Sequence, residues 1–320
     1  MWQRIALISV ILHLALPLQA EDAFRAEAFP SIHAELLSQD SRLRFRIVSG
    51  KVVVHTIHYG TKRRETAKRN DGTHVETLTY LLGDPAVSLR YEIDSIQGRL
   101  LIEVPHSDAL SAYWRMVEPS GETEVVYRQL PDRVLFSVNG PAGEKRFVQR
   151  SIWHLLICEP ELSRRYLLPM LTLCRNKWNL GEQLDQVQQE LCRCADTIRL
   201  PSRGQLMTWV RQLSSTNRKD RHVAMKHLRE VGQPLLAFLD GLNQDHLDRE
   251  QRHQVSQLRH ALEYPAVDTP SRVATRLVAD VNVWTSLSFH RDVQTRILAA
   301  HQLKRLTGQT TAIEDYAASK

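Results

Sequence analysis

Phe147-Val148-Gln149-Arg150-Ser151-Ile152-Trp153-His154-Leu155-Leu156-Ile157 is where the hydrophobic rhythm of the chain changes. Before it, apolar residues recur at every second position, the period of a strand with one buried face. After Ser151 they recur with the 3.6-residue period of a helix: Ile152, Leu155 and Leu156 share one face, broadened by Trp153 and Ile157. The fold class read from this switch is α+β. An N-terminal antiparallel β-rich domain, a sandwich or a curved sheet, precedes an all-α domain.

Upstream of the switch, Leu43-Arg44-Phe45-Arg46-Ile47 alternates strictly. Val52 to Val54, Val75 to Leu82, Ser88 to Ile93, Leu100 to Val104, Glu124 to Tyr127, Val134 to Val138 and Lys145 to Val148 read as further strands. Turn residues separate them at Ser49-Gly50, Asn70-Asp71-Gly72, Gly83-Asp84-Pro85, Gln97-Gly98, Pro119-Ser120-Gly121 and Asn139-Gly140-Pro141. Downstream, helices are expected over Glu161 to Leu173 with Pro169 as a kink or an early stop, and over Trp178 to Cys194. Shorter ones follow over Gln205 to Leu213, Lys219 to Val231, Leu235 to Leu242, Asp248 to Leu262, Ser271 to Ala279 and Asp292 to Leu306.

The 320 residues suffice for two domains, and 42% hydrophobic with 24% charged residues is a globular composition. The formal charge of +6 is mild. Residues 21–150 balance 18 basic against 18 acidic side chains, and residues 151–320 carry 23 against 18. A nucleic-acid binder concentrates positive charge far more strongly, so nucleic acid is not expected as a partner.

Met1 to Arg4 is a short basic n-region, Ile5 to Pro17 is almost uninterruptedly apolar, and Ala20 stands where a signal peptidase would cut. Residues 1–20 are therefore expected to be a secretory signal peptide, with a buried N-terminal helix as the alternative. The apolar stretch is shorter than the roughly 20 residues that span a bilayer. The mature protein is expected to be exported, periplasmic or secreted, without a transmembrane segment. Its divisions are a β-rich domain at 21–150, a helical connector at 151–200, a helical domain at 201–308 and a flexible tail at 309–320.

Export makes Cys158, Cys174, Cys192 and Cys194 candidates for disulfides, with three pairings open; buried free thiols and metal or redox chemistry are the alternatives. Lys62, Arg63, Arg64, Lys68 and Arg69 put five basic residues in eight. They suit an anionic polymer or membrane surface, or a solvated hairpin tip. No catalytic, cofactor-binding or metal-ligating set emerges, and no Gly-x-Ser-x-Gly elbow frames a serine. His55, His58, Glu92 and Asp94 lie on expected strands and are the material for an envelope hydrolase, the alternative to a non-catalytic protein. The helical half holds His222, His227, His246, His253, His260, His290 and His301, read as surface or interface residues whose charge would rise below a pKa of about 6.5.

A repeat runs through the helical half. Arg221, Ala224, Leu228 and Val231 align with Arg296, Ala299, Leu303 and Leu306, and Gly232 or Gly308 follows within two residues. Each copy reads Arg-x-x-Ala-x-x-x-Leu-x-x-apolar, with its apolar members on one stripe and a small Ala that admits a neighbouring helix. The pattern resembles the second helix of HEAT-like repeats over about residues 203–308. Asp292 matches that family's acidic position; Asn217, Asp220 and Thr295 depart from it, and Arg252 to Leu262 fits poorly. The order of signal peptide, β-rich half and HEAT-like tail also resembles uncharacterised exported bacterial proteins. The resemblance implies a short α-solenoid that binds a protein partner without catalysis. A plain helical bundle used for packing or dimerisation is the alternative.

Overall fold

A computed structural model describes residues 36–37, 43–56, 63–82, 88–96, 98–105, 109–118, 121–175, 178–263 and 266–308. The expected signal peptide, the tail at 309–320, Lys62 and His58 lie outside the described residues. The β region and the helices belong to one compact unit.

The fold is α+β, with antiparallel strands first and helices after them. The first hairpin pairs β1 (Leu43–Val48) with β2 (Lys51–Thr56). Its two-residue turn has Ser49 at φ 51° and Gly50 at φ 78°. Positive φ at both central residues matches the twist of a tight hairpin.

The remaining strands are β3 (Arg63–Asn70), β4 (His74–Leu82), β5 (Ser88–Ser95), β6 (Gly98–Val104), β7 (Ser111–Glu118), β8 (Gly121–Gln129), β9 (Val134–Gly140) and β10 (Gly143–Gln149). They form one eight-stranded meander in sequence order, with β3 and β10 at its edges. The antiparallel β region thus consists of this eight-stranded sheet and the two-stranded first hairpin. Register builds its buried face in rows. Leu78, Tyr91, Ile102, Ala112, Tyr127, Phe136 and Phe147 sit opposite one another in succession, and Ile93, Leu100, Trp114, Val125 and Val138 form the next row. Tyr91, Trp114, Tyr127 and Phe136 are fully buried. Burial of each such side chain stabilises by about 1.5–3 kcal/mol. The opposite face carries cross-strand ion pairs, Arg90 with Glu103, Arg99 with Glu92 and Arg115 with Glu122.

Two strands escape the sequence reading. β7 alternates Ala112, Trp114 and Met116 inward, a legible pattern. β3 is hidden because its residues are mostly charged or polar, as suits an edge.

The helices are α1 (Ile152–Cys158), α2 (Pro160–Leu162), α3 (Leu168–Cys174), α4 (Leu180–Thr197), α5 (Arg203–Gln212), α6 (Arg218–Val231), α7 (Leu235–Asp240), α8 (Arg249–Leu262), α9 (Pro270–Leu277), α10 (Val281–Leu287) and α11 (Val293–Thr307). Pro169 lies at the start of the helix Leu168–Cys174 and does not stop it. A π-helical turn, Ser163–Leu167, precedes it, and Leu168 N–H donates to the Ser163 carbonyl. The widened turn accommodates the proline ring, which in a regular helix collides with the carbonyl four residues back. α10 is a helix that sequence propensity hides, since Val281, Val283 and Thr285 are β-branched; burial of Val283, Trp284 and Leu287 overrides that preference.

The helices pack in two groups. α5 to α8 enclose Leu206, Val210, Ala224, Leu228, Leu235, Leu239, Val255 and Leu258. α4 packs on α9, and α10 packs on both α11 and α1.

Candidate functional site

The hairpin turn at Ser49-Gly50 is the point where the β region grips the helices. Asp268, just before α9, accepts from Ser49 N–H (3.0 Å), Gly50 N–H (2.6 Å) and the Trp153 indole N–H (2.7 Å). Asp268 N–H donates to the Ile47 carbonyl at 2.8 Å, and Ile152 N–H donates to the Gly50 carbonyl at 2.9 Å. On the hairpin's other side, the buried Gln129 amide pairs both ways with the Val52 backbone and accepts from the Tyr127 hydroxyl.

A cleft of about 920 Å³ opens between this hairpin and α7, α8 and α9. Ser151, His154 and Asp280 form a hydrogen-bonded row along its wall. Ser151 Oγ lies 2.8 Å from His154 Nδ1, and His154 Nε2 lies 3.1 Å from Asp280 Oδ2. All three are buried. Burial raises the Asp280 pKa, but the His154 hydrogen bond and charge and the Arg150 guanidinium at 3.2 Å outweigh it and hold the carboxyl below its ordinary value. Asp280 also caps α10 through Asn282 and Val283 N–H. A serine–histidine–aspartate row is the raw material of nucleophilic catalysis. Here the serine is 4% exposed and packed against Gly50, where an added Cβ would stand 2.3 Å from Ser151 Cβ. The row ties the sheet end to α1 and α10.

Four cationic side chains line the helical side of the cleft. Arg150 meets Asp280 and Asp240, and Arg259 Nη2 meets Asp240 at 2.9 Å and the Leu239 carbonyl at 3.1 Å. Arg276 Nη2 stands 3.7 Å from Asp268 yet is buried without a hydrogen-bond partner. Arg272 has no side-chain partner among the described residues.

The repeat residues have equivalent places in two helical hairpins, α5–α6 and α10–α11. Arg221 Nη1 donates to the carbonyls of Ser215 and Thr216, and Arg296 Nη1 donates to those of His290 and Arg291. Ala224, Leu228, Ala299 and Leu303 are buried. The last members, Val231 and Leu306, are half-buried and line the same groove of about 330 Å³. Leu206, Pro234, Leu235 and Phe238 complete its apolar floor, with Arg203 and Arg305 beside it. Arg305 itself caps the end of α4 by donating to the Ala195 and Ile198 carbonyls.

The basic run is an edge strand rather than a hairpin tip. Arg64 and Lys68 are exposed on β3, and Arg69 faces the buried Glu76 in register. Glu76 Oε2 accepts from Leu36 N–H at 2.9 Å, and His74 Nε2 lies 3.1 Å from Oε1. The structure does not gather the hydrolase residues. His55 lines the large cleft, whereas Glu92 and Asp94 line a separate one beside the β3–β4 turn. The four cysteines are free thiols. They are not brought together as bridges: Cys158 reaches the Asn282 carbonyl at 4.0 Å, and Cys174 is buried near Tyr91 and Tyr127 under the sheet. Burial pushes Cys158 up to about 11 and Cys174 up to about 12. In the helical half, His227 stacks on Trp209 at 4.9 Å, and most of the other histidines are exposed. Among the described residues no group of three His, Cys, Asp or Glu side chains is placed to hold a metal, and no helix is long and apolar enough to cross a membrane.

The sequence reading missed Asp268, Asp280, Arg272 and Arg276. Asp280 leaves a signal as an acidic cap before a helix. Asp268 leaves none, because its partners lie more than two hundred residues away at Ser49 and Gly50. Comparison with protein-family models, with curated proteins and with solved structures finds no match to this chain.

Proposed function

We propose that the protein is an exported, non-catalytic interaction protein whose HEAT-like helical tail binds a segment of a partner protein. The observation that carries this reading is the convergence of Val231 and Leu306 on one groove. They are the same position of the sequence repeat, left half-buried in both copies, and they meet with Phe238 on an apolar floor. Repeat arrays bind partners along surfaces formed between neighbouring units. A concave apolar strip with a basic edge suits an extended or helical segment with apolar anchors. The burial of Ser151 under Gly50 and the separation of His55 from Glu92 and Asp94 favour this reading over a hydrolase.

The test is affinity capture from envelope extract with the mature chain 21–320, read by mass spectrometry. Wild type is compared with Val231→Asp and Leu306→Asp, each first shown to be folded by its urea transition. The expected result is one partner retained by wild type and by Arg64→Glu, and lost from both groove variants. Equal capture by all four proteins, or none by wild type, overturns the reading.

A further inference from the structure

We propose that the cleft between the β1–β2 hairpin and α9 is a binding site for a small phosphorylated molecule, with Arg272 and Arg276 as the phosphate clamp. The two arginines are four residues apart on α9, so they lie on one helical face, and both line the cleft. Like charges at this spacing repel and destabilise a helix, and an anion between them relieves the repulsion. The nearest acid does not join them. Asp268 already accepts from three neutral donors, Ser49 N–H, Gly50 N–H and the Trp153 indole. Arg276 is left with a 3.7 Å electrostatic contact to that carboxylate and no hydrogen bond from its buried Nη2, although its side chain is only 19% exposed.

Buried guanidinium nitrogens are ordinarily hydrogen-bonded, so Arg276 stands at the cleft wall with donor capacity that the fold leaves unused. A second such nitrogen, Arg259 Nε, belongs to a side chain lining the same cleft. The other acids of the cleft stand among their own cations: Asp280 with His154 and Arg150, Asp240 with Arg259 and Arg150, Asp132 beside Arg133, and Glu263 near Arg259 and Lys51. Cationic hydrogen-bonding capacity is therefore in surplus at α9. Two guanidinium forks match the several oxygens of a phosphate better than the two of a single carboxylate. A volume of about 920 Å³ also leaves room for the remainder of a small molecule. Arg272 and Arg276 do not line the repeat groove, although Arg150, Ala237 and Asp280 line both.

The experiment is calorimetric titration of the mature chain with inorganic phosphate and with pyrophosphate, with sodium acetate as the carboxylate comparison and sodium chloride at matched ionic strength as the screening control. Arg272→Gln is the first variant, since the Arg272 side chain has no hydrogen-bond or ion-pair partner among the described residues; Arg276→Lys keeps the charge but removes the planar fork. The expected result is saturable binding of phosphate or pyrophosphate, weakened at least about tenfold in both variants. Urea transitions should show Arg272→Gln as stable as wild type. Saturation absent in wild type, equal affinity in Arg272→Gln, an equal response to chloride, or tighter binding of acetate than of phosphate overturns the proposal.

Discussion

Arg221 and Arg296 perform the same task in two helical hairpins: each sends Nη1 back to the carbonyls five and six residues earlier and closes the turn that precedes its own helix. The turn carbonyls would otherwise be left to solvent at the edge of a packed layer. The aligned Arg of the sequence repeat is thus a turn lock, and the aligned Ala and Leu below it are core.

Equal tasks give equal energetics. Arg221→Ala and Arg296→Ala should each lower stability by about 1–2 kcal/mol, the range for half-exposed hydrogen bonds from a charged donor. The double variant should lose close to the sum, because the two hairpins share no partner. Urea denaturation measures all three. A large effect from one and none from the other would show that the repeat is one of sequence only.

Gly50 is held by conformation and by space together. Its φ is 78°, and an added Cβ would stand 2.3 Å from Ser151 Cβ. Gly50→Ala should destabilise by about 2–4 kcal/mol, from left-handed strain plus overpacking. Gly72 has φ 86° with nothing within 4 Å, so Gly72→Ala should lose only about 1 kcal/mol, the strain alone. Thermal unfolding of the two variants separates the contributions.

Asp280 links stability to pH. Burial acts to raise its pKa, yet His154 and Arg150 hold the folded value below the unfolded one. The folded state therefore binds fewer protons, and this contribution is fully present above the unfolded pKa near 3.9 and fades as pH falls through the lower folded value. Asp280→Asn should destabilise by about 3 kcal/mol at neutral pH, since it removes the carboxylate that buried His154 meets and one of the two acids that Arg150 meets. The difference from wild type should shrink steadily below about pH 4. Urea midpoints from neutral to strongly acidic pH check both statements, and a constant gap would assign the loss to the helix cap alone.

The thiols make a further prediction. Burial pushes Cys174 up to about 12 and Cys158 up to about 11, so little thiolate forms at mild alkaline pH. Iodoacetamide on the native protein should leave Cys174 unmodified and label Cys158 and Cys192 slowly. Denaturation without reductant should release four titratable thiols. Fewer than four would reveal a disulfide.

The amino-acid order by itself determined the α+β division, because a period of two and a period of 3.6 are local properties of neighbouring residues, and the change between Val148 and Ile152 is visible without any contact. It also determined the repeat, whose Arg, Ala and Leu recur at fixed spacing. It did not disclose β3, whose charges reflect an edge position that only the strand order creates. It hid α10, whose β-branched residues turn helical under the burial of Trp284. Only the tertiary structure decided the cleft. Asp268, Arg272 and Arg276 acquire meaning from a hairpin turn near the start of the described chain, and no periodicity encodes a partner at that sequence distance. The free Cys158 and Cys174 show the same limit from the other side: nearness in sequence suggested bridges, while the helices carried one thiol to Asn282 and buried the other beneath the sheet.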